Sequence, residues 1–261
     1  MMRSLYTAAT GMDAQTKRID TISNNLANVN TTGYKKTLTE FEDLVYATLR
    51  SSGTADTQGN RLPTGIQVGH GVKFAATEKV FSQGNFEQTE KQTDMLIEGR
   101  GFFQIMDTDG QIKYTRAGSF KVDDTGRLVT NDGLPIEPQI TVPDGTEDIT
   151  ISKDGVVSFK IAGQNNPSEM QLTLARFINP AGLKSIGDSL YEETPASGAP
   201  TVANPGDGSM GSILQGFVEG SNVQIVEEMV NLIEGQRAYE SNSKSIQTAD
   251  SMLQTAVGLK R

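Results

Sequence analysis

The chain has 261 residues, a formal net charge of −9 at pH 7, 36% hydrophobic residues and 27 glycines. This composition is typical of a folded chain of one or two domains with many turns, and it excludes a disordered polypeptide. The sequence contains no cysteine and one histidine, which excludes disulfides, thiolate metal sites and a histidine-rich metal centre, and its acidity argues against a nucleic-acid-binding surface.

Two kinds of membrane-directed segment are also not predicted. The sequence contains no run of about 18 apolar residues that would form a membrane-spanning helix. The first fifteen residues have no apolar stretch, because Asp13 and Gln15 interrupt them, so we expect no cleavable signal peptide.

Residues 5–29 show the periodicity of a helix. Apolar residues recur at alternating steps of three and four, which is typical of a coiled-coil seam, with one polar position at Gln15. The pattern ends before Gly33, a residue type that suits the left-handed conformation after a helix. The predicted seam is Leu5, Ala8, Met12, Ile19, Ile22, Leu26 and Val29.

Residues 225–257 repeat this spacing at the other end of the chain. The run Ser221–Gln224 has the form of a capping box, and Gly258 is a suitable stop signal. A second apolar stripe widens the apolar face over the first three turns. The main seam is Ile225, Met229, Leu232, Tyr239, Ile246, Leu253 and Val257 with polar residues between, and the second stripe is Val223, Val226, Val230 and Ile233.

An amphipathic helix at a chain end must bury its apolar stripe. We expect the two terminal helices to pair antiparallel, and the surplus apolar face of the second helix to contact other chains. The alternative is that both helices pack onto the middle domain as ordinary core. Charge is low at the ends, with net +2 over residues 1–40 and −1 over 220–261 against −10 over 41–219, which suits buried interfaces but also fits chance variation.

The middle of the chain is predicted to be β-rich. From residue 95 onward Asp-Gly or Thr-Gly turn signals recur every seven to sixteen residues, at glycines 110, 126, 133, 145 and 155. Short β-prone runs lie between them, including residues 102–106, 149–151, 156–159 and 172–174, whereas 194–212 is expected to be a loop. Residues 50–65 are polar and aperiodic, and are expected to form an extended arm.

These patterns predict an α+β chain with three parts. Residues 1–45 and 220–261 would form a discontinuous two-helix coiled-coil domain from both chain ends. Residues 46–70 would be an extended connector, and residues 71–219 a mainly antiparallel β domain.

No catalytic motif, cofactor-binding motif or metal-ligand set is found, so we expect a non-enzymatic protein without a cofactor.

Both ends of the chain resemble a known family. Residues 4–15 and 22–35, and then 219–223, 227–233, 236–240 and 242–253, are similar to the terminal signatures of the bacterial flagellar rod and hook axial proteins. Internal segments such as Gly99–Gln104 and Tyr114–Phe120 extend the resemblance over most of the chain. The length favours a subunit of the distal rod, with a proximal-rod or short hook-type subunit as the alternative.

The resemblance implies a structural subunit without catalytic activity. Such subunits leave the cytoplasm through the flagellar type III export apparatus and polymerise into a hollow helical shaft. The shaft crosses the periplasm, transmits motor torque to the hook and passes exported subunits through its lumen. The implied partners are other copies of the chain, the proximal rod, hook and rod cap proteins, and the surrounding L- and P-ring proteins, with no nucleic acid and no membrane insertion.

Candidate interface residues follow from the helix patterns taken together with the resemblance. Asn24, Asn25 and Asn28 are expected to make polar contacts across neighbouring helices or to face the lumen; a frayed, solvated helix end is the alternative. The residues expected in the polymer or helix-pairing interface are Leu5, Met12, Ile19, Ile22, Leu26, Val29, Val223, Ile225, Val226, Met229, Val230, Leu232, Ile233, Tyr239, Ile246 and Leu253. A secreted glycan-binding module or enzyme is a third possibility, which the lack of tryptophan and the scarcity of histidine disfavour.

Overall fold

The computed structural model describes residues 2–52, 63–161 and 168–258. The chain divides into two compact units: the first comprises Met1–Leu26, Thr37–Glu78 and Gln224–Arg261, and the second comprises Ala27–Lys36 and Lys79–Val223. The first unit thus contains both chain ends and the segment Thr37–Glu78. The sequence had suggested that this segment is divided among the helical domain, the connector and the β domain. Most of the predicted arm, residues 53–62, lies outside the described residues.

Helix α1 (Met2–Ala27) forms the start of the first unit. It ends two residues earlier than the periodicity suggested, because a turn follows in which the N–H of Thr31 donates to the carbonyl of Asn28. Val29 therefore lies outside the helix and does not extend its seam. Gly33 has a φ of +71°, but it lies six residues after Ala27, so it does not cap the helix as the sequence suggested.

Helix α2 (Ile225–Gly258) forms the other end of the first unit. The expected capping box is wrong. The Oγ of Ser221 accepts a hydrogen bond from the N–H of Val223, while the carbonyl of Gln224 accepts the first helical bond from Glu228. Gln224 is therefore the N-cap residue, and the acidic residues Glu227 and Glu228 lie in the first turn, where a helix N-terminus favours negative charge.

Among the described residues, four strands within 37–79 belong to the first unit. Strand β1 pairs with β4, and β2 pairs antiparallel with β3 on either side of the predicted arm. Phe41 and Phe74 pack edge to face across the first pair, with ring centroids 6.1 Å apart. The strands are β1 (Thr37–Asp43), β2 (Tyr46–Arg50), β3 (Ile66–Gly69) and β4 (Val72–Lys79).

The second unit is built from short antiparallel strands. A five-stranded sheet has the order β11-β7-β8-β17-β16, a three-stranded sheet has the order β12-β13-β14, and four further pairs are β5 with β20, β6 with β19, β9 with β10 and β15 with β18. The strands are β5 (Phe86–Gln88), β6 (Met95–Glu98), β7 (Phe103–Met106), β8 (Ile112–Thr115), β9 (Lys121–Val122), β10 (Leu128–Val129), β11 (Ile136–Glu137), β12 (Thr146–Ile151), β13 (Val156–Ile161), β14 (Ser168–Gln171), β15 (Leu174–Arg176), β16 (Lys184–Gly187), β17 (Leu190–Glu192), β18 (Thr201–Ala203), β19 (Ser212–Gln215) and β20 (Phe217–Glu219).

The hydrophobic core of this unit joins its two larger sheets. Phe103 from β7 and Phe159 from β13 are fully buried in one cluster, and Phe103 packs edge to face on Phe120 with centroids 5.2 Å apart. All five glycines of the predicted turns have a positive φ between 75° and 82°, a conformation that glycine adopts without steric cost. The mainly antiparallel architecture predicted from the turn spacing is confirmed.

Two local predictions in this region are wrong. The run 172–174 is not a strand, because Leu172 and Thr173 connect β14 to β15. The segment 194–212 is not entirely a loop: it contains β18, which pairs with β15, and the first residue of β19. Both errors concern strands that pair with partners distant in sequence, which local composition does not reveal.

Candidate subunit interface

The two terminal helices pair antiparallel in the first unit, as predicted. Arg18 of α1 reaches Asn231 at 3.4 Å and Glu234 at 3.6 Å, and the amide of Asn25 donates to the carboxylate of Glu228 at 3.4 Å. Because later residues of α1 contact earlier residues of α2, the helices run in opposite directions.

Close approach of the helices depends on glycine. A Cβ at Gly235 would lie 3.1 Å from the Cγ1 of Ile19, and a Cβ at Gly11 would lie 2.9 Å from the side-chain nitrogen of Asn242. Both distances are shorter than an ordinary van der Waals contact. Each helix therefore contributes a glycine where the other helix's side chain occupies the space.

The contacts of α2 with α1 include small and polar residues that the predicted seam did not contain. Glu228, Gly235 and Asn242 make the contacts described above, at a spacing of seven residues, and Ala249 continues this spacing and is buried. A seven-residue repeat places these residues along one side of the helix. The apolar residues Leu232, Ile246 and Leu253 lie four residues after Glu228, Asn242 and Ala249 and are half-buried.

An apolar stripe on α2 is left exposed within the chain. Its members are between 47% and 76% exposed, although each is a large aliphatic side chain. At relative positions i, i+1, i+4, i+5 and i+8 they share one helix face, and a contiguous exposed apolar face of this kind marks an interaction surface. The residues, called here the α2 stripe, are Ile225, Val226, Met229, Val230 and Ile233.

The remaining predicted interface residues differ in burial. Ile22 is buried, and so is Val223, which precedes α2 and does not belong to the exposed stripe. Tyr239 is exposed. The half-buried members of the set are Leu5, Met12, Ile19, Leu26, Val29, Leu232, Ile246 and Leu253.

The three asparagines have different environments. Asn25 is buried, and its side-chain amide accepts from the N–H of Thr37 at 3.0 Å and donates to the carbonyl of Thr37 at 2.9 Å, besides its contact with α2. It therefore contacts a neighbouring helix, as expected, but that helix belongs to the same chain. Asn28 accepts from the hydroxyl of Thr31 at 3.2 Å within the turn after α1, and Asn24 is exposed.

The second unit contains a buried ionic cluster that sequence analysis missed. The carboxylate of Glu219 lies 2.6 Å from the Nζ of Lys35 and 3.0 Å from the Nε of Arg116, and it also accepts from the N–H of Gly84 at 2.9 Å. Lys35 donates further to the carbonyl of Ser82 at 2.8 Å. The cluster thereby ties together four segments that are distant in sequence.

Burial dominates the electrostatics of this cluster. The side chains of Lys35, Arg116 and Glu219 are each at most 4% exposed. Loss of water lowers the pKa of Lys35 and of Arg116, and the negative charge of Glu219 opposes that shift in both cases. No sequence pattern predicts this cluster, because Lys35, Arg116 and Glu219 are separated by 81 or more residues and only the fold brings them together.

The described residues were also searched for a metal site and for a membrane-spanning helix. Among residues 2–52, 63–161 and 168–258, no group of three or more histidine, aspartate or glutamate side chains is arranged to hold a metal ion. Neither α1 nor α2, over the part that the structure describes, is apolar enough along its length to cross a bilayer.

Comparisons with known protein families match segments at both ends of the chain and in its β-rich middle. Family descriptions match three segments: the flagella basal body rod protein over residues 5–35, the flagellar hook protein FlgE/F/G D1 domain over 96–159, and the flagellar basal body rod FlgEFG protein C-terminal region over 214–259. These matches define the class as flagellar rod and hook proteins.

Curated relatives narrow this class. The flagellar basal-body rod protein FlgG of Borreliella burgdorferi is 52% identical, covering 100% of both chains. FlgG of Buchnera aphidicola subsp. Schizaphis graminum is 50% identical over 97% of this chain and 98% of its own. A crystal structure of the Helicobacter pylori flagellar hook protein FlgE2 matches with 16% identity and a TM-score of 0.24, over 70% of this chain and 43% of its own.

The chain belongs to the flagellar basal-body rod protein FlgG family. It is a structural subunit of the distal rod, and its location is the flagellar basal body.

Proposed function

We propose that this rod subunit polymerises helically through its terminal helices into a hollow drive shaft. The shaft transmits motor torque across the periplasm to the hook and passes exported subunits through its lumen. The observation that supports this proposal is the α2 stripe, because five large apolar residues remain exposed on one helix face after both terminal helices have formed and paired. Copies of the chain would bury this stripe against one another.

The remaining partners and the route of the chain belong to the same proposal. Copies at the ends of the shaft would contact proximal rod proteins, the hook protein and the rod cap, and the outer surface would turn inside the L- and P-rings. The chain would reach the periplasm through the flagellar type III export apparatus. The lack of cysteine suits this route, because free thiols oxidise in the periplasm.

We propose a purely structural role, without catalysis. The exposed stripe is an association surface, and the buried Lys35 and Glu219 are enclosed by their own contacts, so they are not open to a substrate. The acidic middle of the chain would face outward, because solvated surfaces collect charge whereas buried interfaces exclude it.

A substitution in the α2 stripe tests the proposal. Ile233→Asp places a charge where the neighbouring copy would bury an apolar side chain, and we expect it to abolish tube formation by the concentrated protein, as seen by negative-stain electron microscopy. Val122→Asp is the matched control, because Val122 is 45% exposed against 47% for Ile233 and lies in the second unit.

Both variants should retain the wild-type circular dichroism spectrum, which establishes that they are folded. Tubes formed normally by the Ile233→Asp protein would refute the proposed use of the stripe. Equal loss of tubes in both variants would show that the effect is not specific to α2.

A further inference from the structure

A socket and a projecting tip lie at opposite ends of one β-hairpin in the second unit. The hairpin is formed by β7 and β8, whose residues pair from Phe103 with Thr115 at the base to Met106 with Ile112 near the tip. Four residue pairs at about 3.3 Å per residue separate base and tip by roughly 10 Å. Any contact between the two must therefore involve two copies of the chain.

The socket lies beside the base of the hairpin. It is a cavity of about 310 Å³ with aromatic walls from Phe81, Phe102 and Phe177, and Ile178 at its edge is 90% exposed. Phe102 packs edge to face on Phe81 and on Phe177, with centroids 5.4 Å and 5.8 Å apart. Packed rings make the cavity rigid, and a preformed aromatic cavity is suited to an apolar side chain.

The socket is also positively charged. Arg100 and Arg176 line it, and over the described part of the chain neither forms an ion pair with a carboxylate. Arg176 instead contacts the hydroxyl of Ser209. Two arginines without acidic partners are conspicuous in a chain whose residues 41–219 carry a net charge of −10. The cavity thus combines aromatic walls with two arginines that lack acidic partners.

The hairpin tip has the complementary chemistry. Met106 and Ile112 face each other across the strands and are 37% and 41% exposed, although both are large and apolar. The turn beyond them contains Asp107 and Asp109. Asp107 accepts from the N–H of Thr108 inside the turn at 2.7 Å, whereas Asp109 is exposed and pairs with no side chain among the described residues.

We propose that the tip of this hairpin docks into the socket of a second copy of the chain. Met106 and Ile112 contact the aromatic walls of the socket, and Asp109 contacts Arg100 and Arg176. Because the two surfaces differ and lie at opposite ends of one rigid hairpin, the contact is head to tail and repeats without closing into a dimer. This inference rests on the proposed polymer and adds a contact between second units that the terminal helices do not make.

Disulfide trapping tests the contact directly, because the natural chain contains no cysteine. The Asp109→Cys protein is mixed with the Ile178→Cys protein at a concentration that favours assembly, and the mixture is oxidised. A disulfide requires the two Cα atoms to approach within about 7 Å. We expect a cross-linked species of twice the monomer mass that contains one copy of each variant.

The control replaces Asp109→Cys by Asp144→Cys. Asp144 also precedes a glycine in an exposed turn, and a Cβ added at Gly145, like one added at Gly110, would meet no other atom within 4 Å. We expect no cross-linked species from the Asp144→Cys and Ile178→Cys mixture. Equal cross-linking in both mixtures, or none in the first, would overturn the proposed docking.

A charge exchange provides a second readout. Asp109→Arg places a positive charge against Arg100 of the next copy, and we expect it to weaken assembly; the double variant Asp109→Arg with Arg100→Asp should restore it, because it recreates an opposite-charge pair. Failure of the double variant to recover would contradict the pairing. If the wild-type protein forms tubes but the mixture of Asp109→Cys and Ile178→Cys proteins gives no cross-linked species, only this inference fails. If the wild-type protein forms no tubes, the proposed function fails as well.

Discussion

At the scale of single residues, Glu219 holds together the buried ionic cluster of the second unit. Its carboxylate compensates two buried cations and also accepts a backbone N–H, so it joins the segments that contain Lys35, Arg116 and Gly84. A buried charge without its partner is strongly destabilising, because the desolvation cost remains when the attraction is lost. The cluster therefore makes the fold of this unit depend on contacts that are distant in sequence.

Removal of the carboxylate charge should show this dependence. We expect Glu219→Gln to lower the free energy of unfolding by about 3–5 kcal/mol, because both cations stay buried without a negative partner. Urea unfolding followed by circular dichroism measures the change. Glu147→Gln is the control, since Glu147 is exposed and its substitution should change stability by less than about 0.5 kcal/mol.

An unchanged unfolding midpoint in the Glu219→Gln protein would contradict this account of the cluster. Sequence analysis could not identify these residues, because an isolated lysine, arginine or glutamate is ordinarily a solvated surface residue. Only the folded chain shows that Lys35 is fully buried.

At the scale of elements, the two faces of α2 have different surroundings. The face with seven-residue spacing brings Gly235 and Asn242 against α1, whereas the α2 stripe is exposed. The sequence predicted both helices and their antiparallel pairing, because periodicity over many residues is a strong signal. It did not predict which apolar residues of α2 stay exposed, since periodicity shows which residues share a face but not which partner covers that face.

Enlarging a glycine in the pairing face should separate the helices. We expect Gly235→Val to destabilise the first unit by about 1–3 kcal/mol, because the added side chain overlaps Ile19. Thermal unfolding followed by circular dichroism at 222 nm measures the effect. Gly258→Val is the matched control, because Gly258 lies in the same helix and has open space around its Cβ position.

Equal melting temperatures for the Gly235→Val and Gly258→Val proteins would contradict close helix packing at Gly235. For the strands, as for the helices, local sequence patterns do not show which distant partner an element contacts. Turn glycines such as Gly110 and Gly155 were predicted because their sequence signal is local, whereas β18 was missed because its partner β15 is 25 residues away.

At the scale of the whole molecule, the chain folds its own β-rich unit completely but leaves one helix face unburied. The second unit has a closed core around Phe103 and Phe159, whereas the α2 stripe meets no equivalent core. Natural chains rarely expose such a face without an association partner. The head-to-tail polymer that we propose would bury the stripe in every copy except those at the ends.

Electron cryo-microscopy of tubes assembled from the concentrated wild-type protein is the most direct test of this account. We predict straight hollow tubes in which Ile225, Val226, Met229, Val230 and Ile233 are buried against the helices of neighbouring copies. Tubes in which these five side chains remain exposed to solvent, or a concentrated protein that stays monomeric, would contradict the central claim that the exposed helix face builds the rod.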